Sequence, residues 1–189
     1  PPKIHQSFDE NKNEEENNKS QAQIVNNDNY DEILFSRRDI EEANIPSNIK
    51  RICSYSFSEC KYLKNINFSN KSNLQYIDKY SFSFSSLEKI NIPRQVKEID
   101  EYSFNFCQRL QNINFESESE LNKINKYSFS TTSINPIEIP KSVEYIGEST
   151  FSECSKLSTI TFPENSNLIC IDKEAFNGTP VQKLFIPSI

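Results

Sequence analysis

A chain of 189 residues and 22.0 kDa has room for one ordinary domain and a tail. Two glycines leave no glycine-rich phosphate loop or dinucleotide fingerprint, and the single histidine, His5, removes most metal-dependent and imidazole acid–base chemistry. A formal charge of −6 from 21 basic and 27 acidic residues gives no electrostatic footprint for nucleic acid or anionic lipid. No apolar run approaches the ~20 residues of a membrane span, and the first residues do not read as a basic-then-apolar signal peptide.

Residues 1–29 hold five apolar side chains, Ile4, Phe8, Ala22, Ile24 and Val25, among nine charges, six of them acidic. That composition cannot bury enough surface to offset backbone ordering, so the segment is expected to be a disordered acidic tail, with Glu14-Glu15-Glu16 solvated. Residues 30–44 read as a degenerate capping coil. Phe35 and Ile40 sit where Phe82 and Leu87 stand relative to Ile92, and Ile33-Leu34-Phe35 is placed to cover the open end of the core.

From Ile45 the chain repeats. Ile-Pro recurs at Ile45-Pro46, Ile92-Pro93, Ile139-Pro140 and Ile186-Pro187, each 47 residues after the last. Phe57, Phe104 and Phe151 keep the same period, and Phe82, Phe129 and Phe176 follow each of them by 25 residues. Each period therefore divides into coils of 23 and 24 residues, starting at 45, 68, 92, 115, 139 and 162, with a partial coil at 186. Apolar and polar residues alternate at the ends of the segments Leu63–Phe68, Leu87–Ile92, Leu110–Phe115, Ile134–Ile139, Leu157–Phe162 and Val181–Ile186. This is the strand period of two, and tandem coils of equal sense must stack such strands in parallel. Pro136 lacks an amide hydrogen and is expected to disturb the fourth strand. The pairs Ile49/Ile52 and Leu74/Ile77 fall on the return path. Phe57, Phe82, Phe104, Phe129, Phe151 and Phe176 then fill the interior as one column, and Tyr55, Tyr80, Tyr102 and Tyr127 face outward as a second, exposed ladder.

Ile139-Pro140-Lys141-Ser142-Val143-Glu144-Tyr145-Ile146-Gly147-Glu148-Ser149-Thr150-Phe151-Ser152-Glu153-Cys154 closely resembles the coil of BspA-like leucine-rich repeats. The resemblance runs through residues 45–189 and recurs six times. It implies a repeat solenoid: a right-handed leucine-rich repeat coil with one parallel β-sheet and little or no helix. The family's Gly is replaced by Cys53, Asp78, Asp100, Asn125 and Asp172. Asp and Asn tolerate left-handed backbone, which makes four of the five replacements mild and leaves Cys53 unexplained. The family's Ala before Phe is mostly Ser, which either brings a hydroxyl to a backbone partner or reflects a Ser-rich composition.

Cys60, Cys107 and Cys154 occupy one position in alternate coils, two strand spacings or roughly 9–10 Å apart, beyond the ~7 Å that a disulfide allows between Cα atoms. They read as buried packing thiols, while Cys53 and Cys170 fall on other faces and their pairing stays open. Sequons at Asn18, Asn67, Asn70 and Asn177 carry no signal, because 23 Asn and 32 Ser plus Thr produce about that many by chance.

The candidate binding face is the outward side of the sheet: Lys64, Asn65, Asn67; Glu88, Lys89, Asn91; Gln111, Asn112, Asn114; Glu138; Thr159, Thr161; Lys183, Phe185. A concave face of this kind suits a protein or glycan ligand. Asn67, Asn91 and Asn114 read equally as an amide ladder holding the strands in register. No catalytic residue, cofactor, metal, nucleic acid or membrane insertion is assigned. Ile186-Pro187-Ser188-Ile189 opens a coil without finishing it, so edge association or further chain is expected there. The resemblance implies adhesion or protein interaction at the cell surface. An intracellular scaffold, or the recognition arm of a larger protein, stands as the alternative.

Overall fold

The computed structural model describes residues 32–33 and 38–186. The acidic tail of 1–29 and the side chains of Ile33-Leu34-Phe35 lie outside the described residues. The chain is a parallel β-solenoid of about six turns, with no helix among the described residues.

Each coil has three sides, and each side is held to its neighbours differently. On the first lie β2 (Glu42–Ile45), β4 (Asn65–Phe68), β6 (Lys89–Ile92), β8 (Asn112–Phe115), β10 (Ile137–Glu138) and β12 (Ile160–Thr161). On the second lie β1 (Glu32–Ile33), β3 (Arg51–Ile52), β5 (Tyr76–Ile77), β7 (Glu98–Ile99), β9 (Lys123–Ile124), β11 (Tyr145–Ile146) and β13 (Cys170–Ile171). The third carries the Ser-Phe segments, which are turns.

The expectation of one sheet is corrected here. The second side is the continuous one: a seven-stranded parallel sheet in the order β1-β3-β5-β7-β9-β11-β13, with Ile33, Ile52, Ile77, Ile99, Ile124, Ile146 and Ile171 in register. Its strands are two residues long, too short to display alternation in sequence. The first side is broken into the pairs β2–β4, β6–β8 and β10–β12. Each pair joins strands across a shorter coil, with Ile45 opposite Phe68 and Ile92 opposite Phe115. Across the longer coils the link thins to bonds such as Glu88 N to Lys64 O at 3.2 Å and Asn135 N to Gln111 O at 3.2 Å. Residues 181–186, expected as a sixth strand, form no strand at all.

The third side satisfies its backbone by alternation. The N–H groups of Tyr55, Phe57 and Glu59 donate to Lys79, Ser81 and Ser83 of the next coil at 3.2, 2.6 and 2.8 Å. Those of Ser56, Ser58 and Cys60 donate three residues back, to Cys53, Tyr55 and Phe57. This accounts for six consecutive donors without a strand. The geometry requires left-handed backbone at two positions per coil: at Tyr55, Tyr80, Tyr102, Tyr127, Ser149 and Glu174, and again four residues later. The Asp and Asn that replace the family's Gly are not the left-handed residues; those lie two positions further on. Gly147 answers a different need, since a Cβ there would stand 2.6 Å from the Lys126 nitrogen and 2.9 Å from the Asn125 carbonyl carbon.

The six Phe rings form one stack, with centroids 5.2, 4.9, 5.1, 5.6 and 5.7 Å apart from Phe57 to Phe176. The first five are fully buried and Phe176, at the end of the stack, is half-buried. Burying one such side chain stabilises the fold by roughly 1.5–3 kcal/mol. Parallel to this stack, Tyr55, Tyr80, Tyr102 and Tyr127 stack at 4.9, 4.8 and 5.0 Å on the surface. Burial between its two neighbours pushes the Tyr102 hydroxyl pKa up, with the Tyr80 charge adding to the effect.

The residue before each Phe gives a third column: Ser56, Ser81, Ser103, Ser128, Thr150 and Ala175, all buried. Ser56 Oγ donates to Cys53 O at 2.8 Å and Thr150 Oγ1 to Gly147 O at 2.7 Å. The hydroxyls of Ser81, Ser103 and Ser128 are buried and find no partner. The backbone-partner reading of the Ser-for-Ala replacement therefore holds at Ser56 and Thr150 and not at Ser81, Ser103 and Ser128.

Candidate functional site

The first side of the solenoid presents the residues singled out from the sequence. Along β4, β6 and β8 the pattern is Ile inward and Asn or Lys outward, so Asn67, Lys89, Asn91, Asn112 and Asn114 stand exposed and Asn65 is half-exposed; Lys64, Glu88 and Gln111, exposed too, immediately precede the strands. Glu138 on β10, Thr161 on β12 and Thr159 just before β12 continue the exposed row. Lys183 and Phe185 are exposed too, Phe185 to 78%, but on irregular chain beyond the last strand, so they do not extend the sheet.

The amide ladder exists in rungs. Asn67 Nδ2 donates to Asn44 Oδ1 at 3.0 Å, and Asn114 Nδ2 to Asn91 Oδ1 at 3.0 Å. Asn67 also reaches the Glu42 carboxylate. The rungs coincide with the paired strands, where side chains lie in register; among the described residues no hydrogen bond joins the side chains of Asn67 and Asn91 across the longer coil. Asn44 belongs to the capping coil, and sequence reasoning missed it because the repeat is degenerate there.

Pro136 shortens β10 to two residues, and Asn135 bridges the deficit. Its Oδ1 accepts from the Ser158 and Thr159 N–H groups at 3.1 and 3.2 Å and from Ser158 Oγ at 3.3 Å. Between β8 and β10, at a junction without strand pairing, a cleft of about 620 Å³ opens. Asn114 and Glu138 of the expected face line it, joined by Glu116, Glu118, Pro140, Lys141 and Asn167. Glu116 is held by the Arg94 backbone N–H at 2.9 Å. With three carboxylates against one lysine, the lining accepts hydrogen bonds more than it donates them. Glu116 and Glu118 went unrecognised in the sequence because they lie in the coil-opening loop, where no period repeats them.

Elsewhere several ionisable groups pair along the axis. Arg51 bonds Asp78 at 2.6 Å and lies 4.4 Å over the Tyr76 ring. Lys79 reaches Glu101 at 3.0 Å, and Lys126 and Lys173 reach Glu148 at 3.0 and 3.4 Å. Hydrogen bonding from Lys126, then its charge and that of Lys173, holds the Glu148 carboxyl below its ordinary value. Cys60, Cys107 and Cys154 are buried; Cys107 Sγ donates to Phe82 O at 3.0 Å and Cys154 Sγ to Phe129 O at 3.1 Å. Burial pushes the Cys107 thiol pKa up to about 12. Cys53 is half-exposed and Cys170 exposed. Among the described residues no group of three His, Cys, Asp or Glu converges on a metal position, and no helix is long and apolar enough to cross a membrane.

No curated protein matches the chain. Among solved structures, the pneumococcal vaccine antigen PcpA is similar, with a TM-score of 0.65 at 31% identity over 67% of this chain and 31% of PcpA. A leucine-rich repeat protein from Eubacterium ventriosum has a TM-score of 0.59 at 24% identity, over 76% of this chain and 44% of that one. The leucine-rich repeat protein of T. pallidum has a TM-score of 0.51 at 18% identity, over 69% and 62% of the two chains. The last two show the fold alone. The chain thus spans less than half the length of the first two structures. A family model described as the BspA type leucine rich repeat region, in six copies, matches residues 29–137 and 75–189. Stacked coils, inward Ile and Phe columns and that match agree, and the chain belongs to the BspA-type leucine-rich repeat family.

Proposed function

We infer that the chain is a non-enzymatic binding module that engages another protein, or a glycan, through the concave side formed by β4, β6, β8, β10 and β12. The family is a protein-interaction fold, which supports the first half of this reading. The observation that carries the second half is the cleft between β8 and β10, where Asn114 and Glu138 meet Glu116 and Glu118 in one acidic recess. A ligand there offers donors: lysine, arginine or backbone N–H groups of a protein, or the hydroxyls of a sugar. Most of the other polar side chains of the row are unbonded across the longer coils, so they are available to a long, shallow contact.

The role fits adhesion at the cell surface, in keeping with PcpA being a vaccine antigen. The exposed Cys170, which forms no disulfide, favours instead a scaffold in a reducing compartment. Biotinylation of intact cells labels the protein in the first case and misses it in the second.

The binding test uses the 189-residue chain against immobilised matrix proteins and a glycan array. Glu138→Lys, and Asn91→Ala combined with Asn114→Ala, should each weaken whichever ligand is found by about tenfold or more, with the melting temperature nearly unchanged. Undiminished binding by both variants rejects the strand face as the site. A large fall in melting temperature for the Asn variant makes the amide rungs structural first.

A further inference from the structure

One corner of the solenoid lies off the strand face, two residues beyond each buried Phe. The positions are Glu59, Phe84, Phe106, Thr131, Glu153 and Gly178, all in left-handed backbone with φ from +57 to +72°. Gly, Asn and Asp adopt that region most readily, so backbone conformation gives no reason for an aromatic residue there. Two successive coils nevertheless carry Phe. The Phe84 and Phe106 rings are 52% and 41% exposed and stack on each other at 4.9 Å with 7° between their planes. Unlike Phe82 and Phe104, they add nothing to the core.

A second cavity, of about 370 Å³, opens against these rings, with Ser85, Ser86, Gln108 and Arg109 completing its walls. No carboxylate lines it, and Arg109 is exposed and makes no ion pair among the described residues. Phe and Arg are both enriched at protein interfaces relative to the rest of the surface, and Arg is frequent among their hot spots. The charge pattern also sets a direction. Glu59 precedes Phe84 in the column, so an anionic group is repelled from that end and drawn to the Arg109 end. Ring edges carry the positive part of the aromatic quadrupole and favour a carboxylate in the same way.

We propose that the Phe84–Phe106 corner docks a segment of another protein in which an apolar side chain packs against the two rings and a neighbouring carboxylate pairs with Arg109. The guanidinium fork binds the carboxylate bidentately, and the backbone that carries the stacked rings is held to the next coil by the bonds Phe84 N to Asn105 O at 2.9 Å and Phe106 N to Ser130 O at 3.0 Å. This corner shares no lining residue with the cleft between β8 and β10, so it stands independently of the strand-face reading.

The experiment measures fluorescence anisotropy of a labelled peptide, Gly-Ser-Leu-Phe-Asp-Glu-Gly-Ser, titrated with the 189-residue chain, beside a peptide with Lys-Lys in place of Asp-Glu. The expected result is saturable binding of the acidic peptide and at least about tenfold weaker binding of the basic one. Phe84→Asn with Phe106→Asn should abolish binding while melting no lower than the parent, because Asn accepts left-handed backbone. Arg109→Glu should reverse the preference towards the basic peptide. The proposal is overturned if the acidic peptide fails to saturate up to about 1 mM, or if both peptides bind alike. It is overturned equally if sedimentation shows a self-association that the double Asn variant abolishes, which assigns the corner to a second copy. Capture of a neutral glycan through the same residues overturns it as well.

Discussion

Ser103→Ala should stabilise the protein. Ser103 stands fully buried between coils, directly before Phe104, and its hydroxyl makes no hydrogen bond. A buried hydroxyl without a partner costs about 1–3 kcal/mol of desolvation by mutational measures. Removing it returns that cost, less the small loss of van der Waals contact around one oxygen atom. The net gain should be about 1 kcal/mol, or roughly 2–4 °C in melting temperature for a chain of this size. The fold itself supplies the precedent, since Ala175 fills the same column in the last coil. The control lies in that column too. Thr150 Oγ1 donates its one proton to Gly147 O at 2.7 Å, with Asn125 O 3.2 Å away, so replacing it by Ser should be tolerated while replacing it by Ala should cost about 1 kcal/mol. Thermal and urea unfolding of the parent, Ser103→Ala and Thr150→Ala decide the matter. If Ser103→Ala destabilises as much as Thr150→Ala does, the hydroxyl has a partner and the reasoning is wrong.

Phe104→Ala should cost about 3–5 kcal/mol, because two stacking neighbours and the bonded turn around the ring leave little room to collapse. Phe176→Ala, half-buried with one stacking partner, should cost clearly less, and equal costs for the two would contradict a continuous stack. Thiol labelling of native protein should find Cys170 first and leave Cys107 and Cys154 until unfolding; rapid labelling of Cys107, whose pKa burial pushes up to about 12, would place it outside the core. Glu148 is held below its ordinary pKa by Lys126 and Lys173, so its contribution is full above the unfolded carboxylate value and fades as pH falls through the depressed one. Glu148→Gln should therefore flatten the acid limb of stability against pH without altering the alkaline limb, and an unchanged acid limb would show the contacts to be idle.

Side-chain spacing carried the fold, and backbone hydrogen bonding carried what spacing could not. A 47-residue period in Ile-Pro and Phe is visible because each coil buries the same positions against its neighbours. The second sheet is invisible for the opposite reason: in Tyr76–Ile77 or Glu98–Ile99 a single inward residue per strand leaves no alternation to detect. Left-handed turns at Tyr80 and Phe84 are similarly hidden, since those residue types do not announce that backbone. Of the candidate face, the exposed Asn and Lys positions follow from alternation. The cleft depends on loop residues Glu116 and Glu118 and on the gap between β8 and β10, and neither is periodic.

Residue-resolved hydrogen exchange tests most directly whether successive coils lie one on another. The amides of Phe57, Phe82, Phe104, Phe129 and Phe151 donate across coils at 2.6, 2.8, 2.8, 3.0 and 2.8 Å, although none belongs to a strand. Protection should therefore peak at these five residues, at alternating intervals of 25 and 22, and be deepest at Phe104. Exchange at Phe104 as fast as in an exposed loop, with protection confined to the strands, would contradict the stacked solenoid.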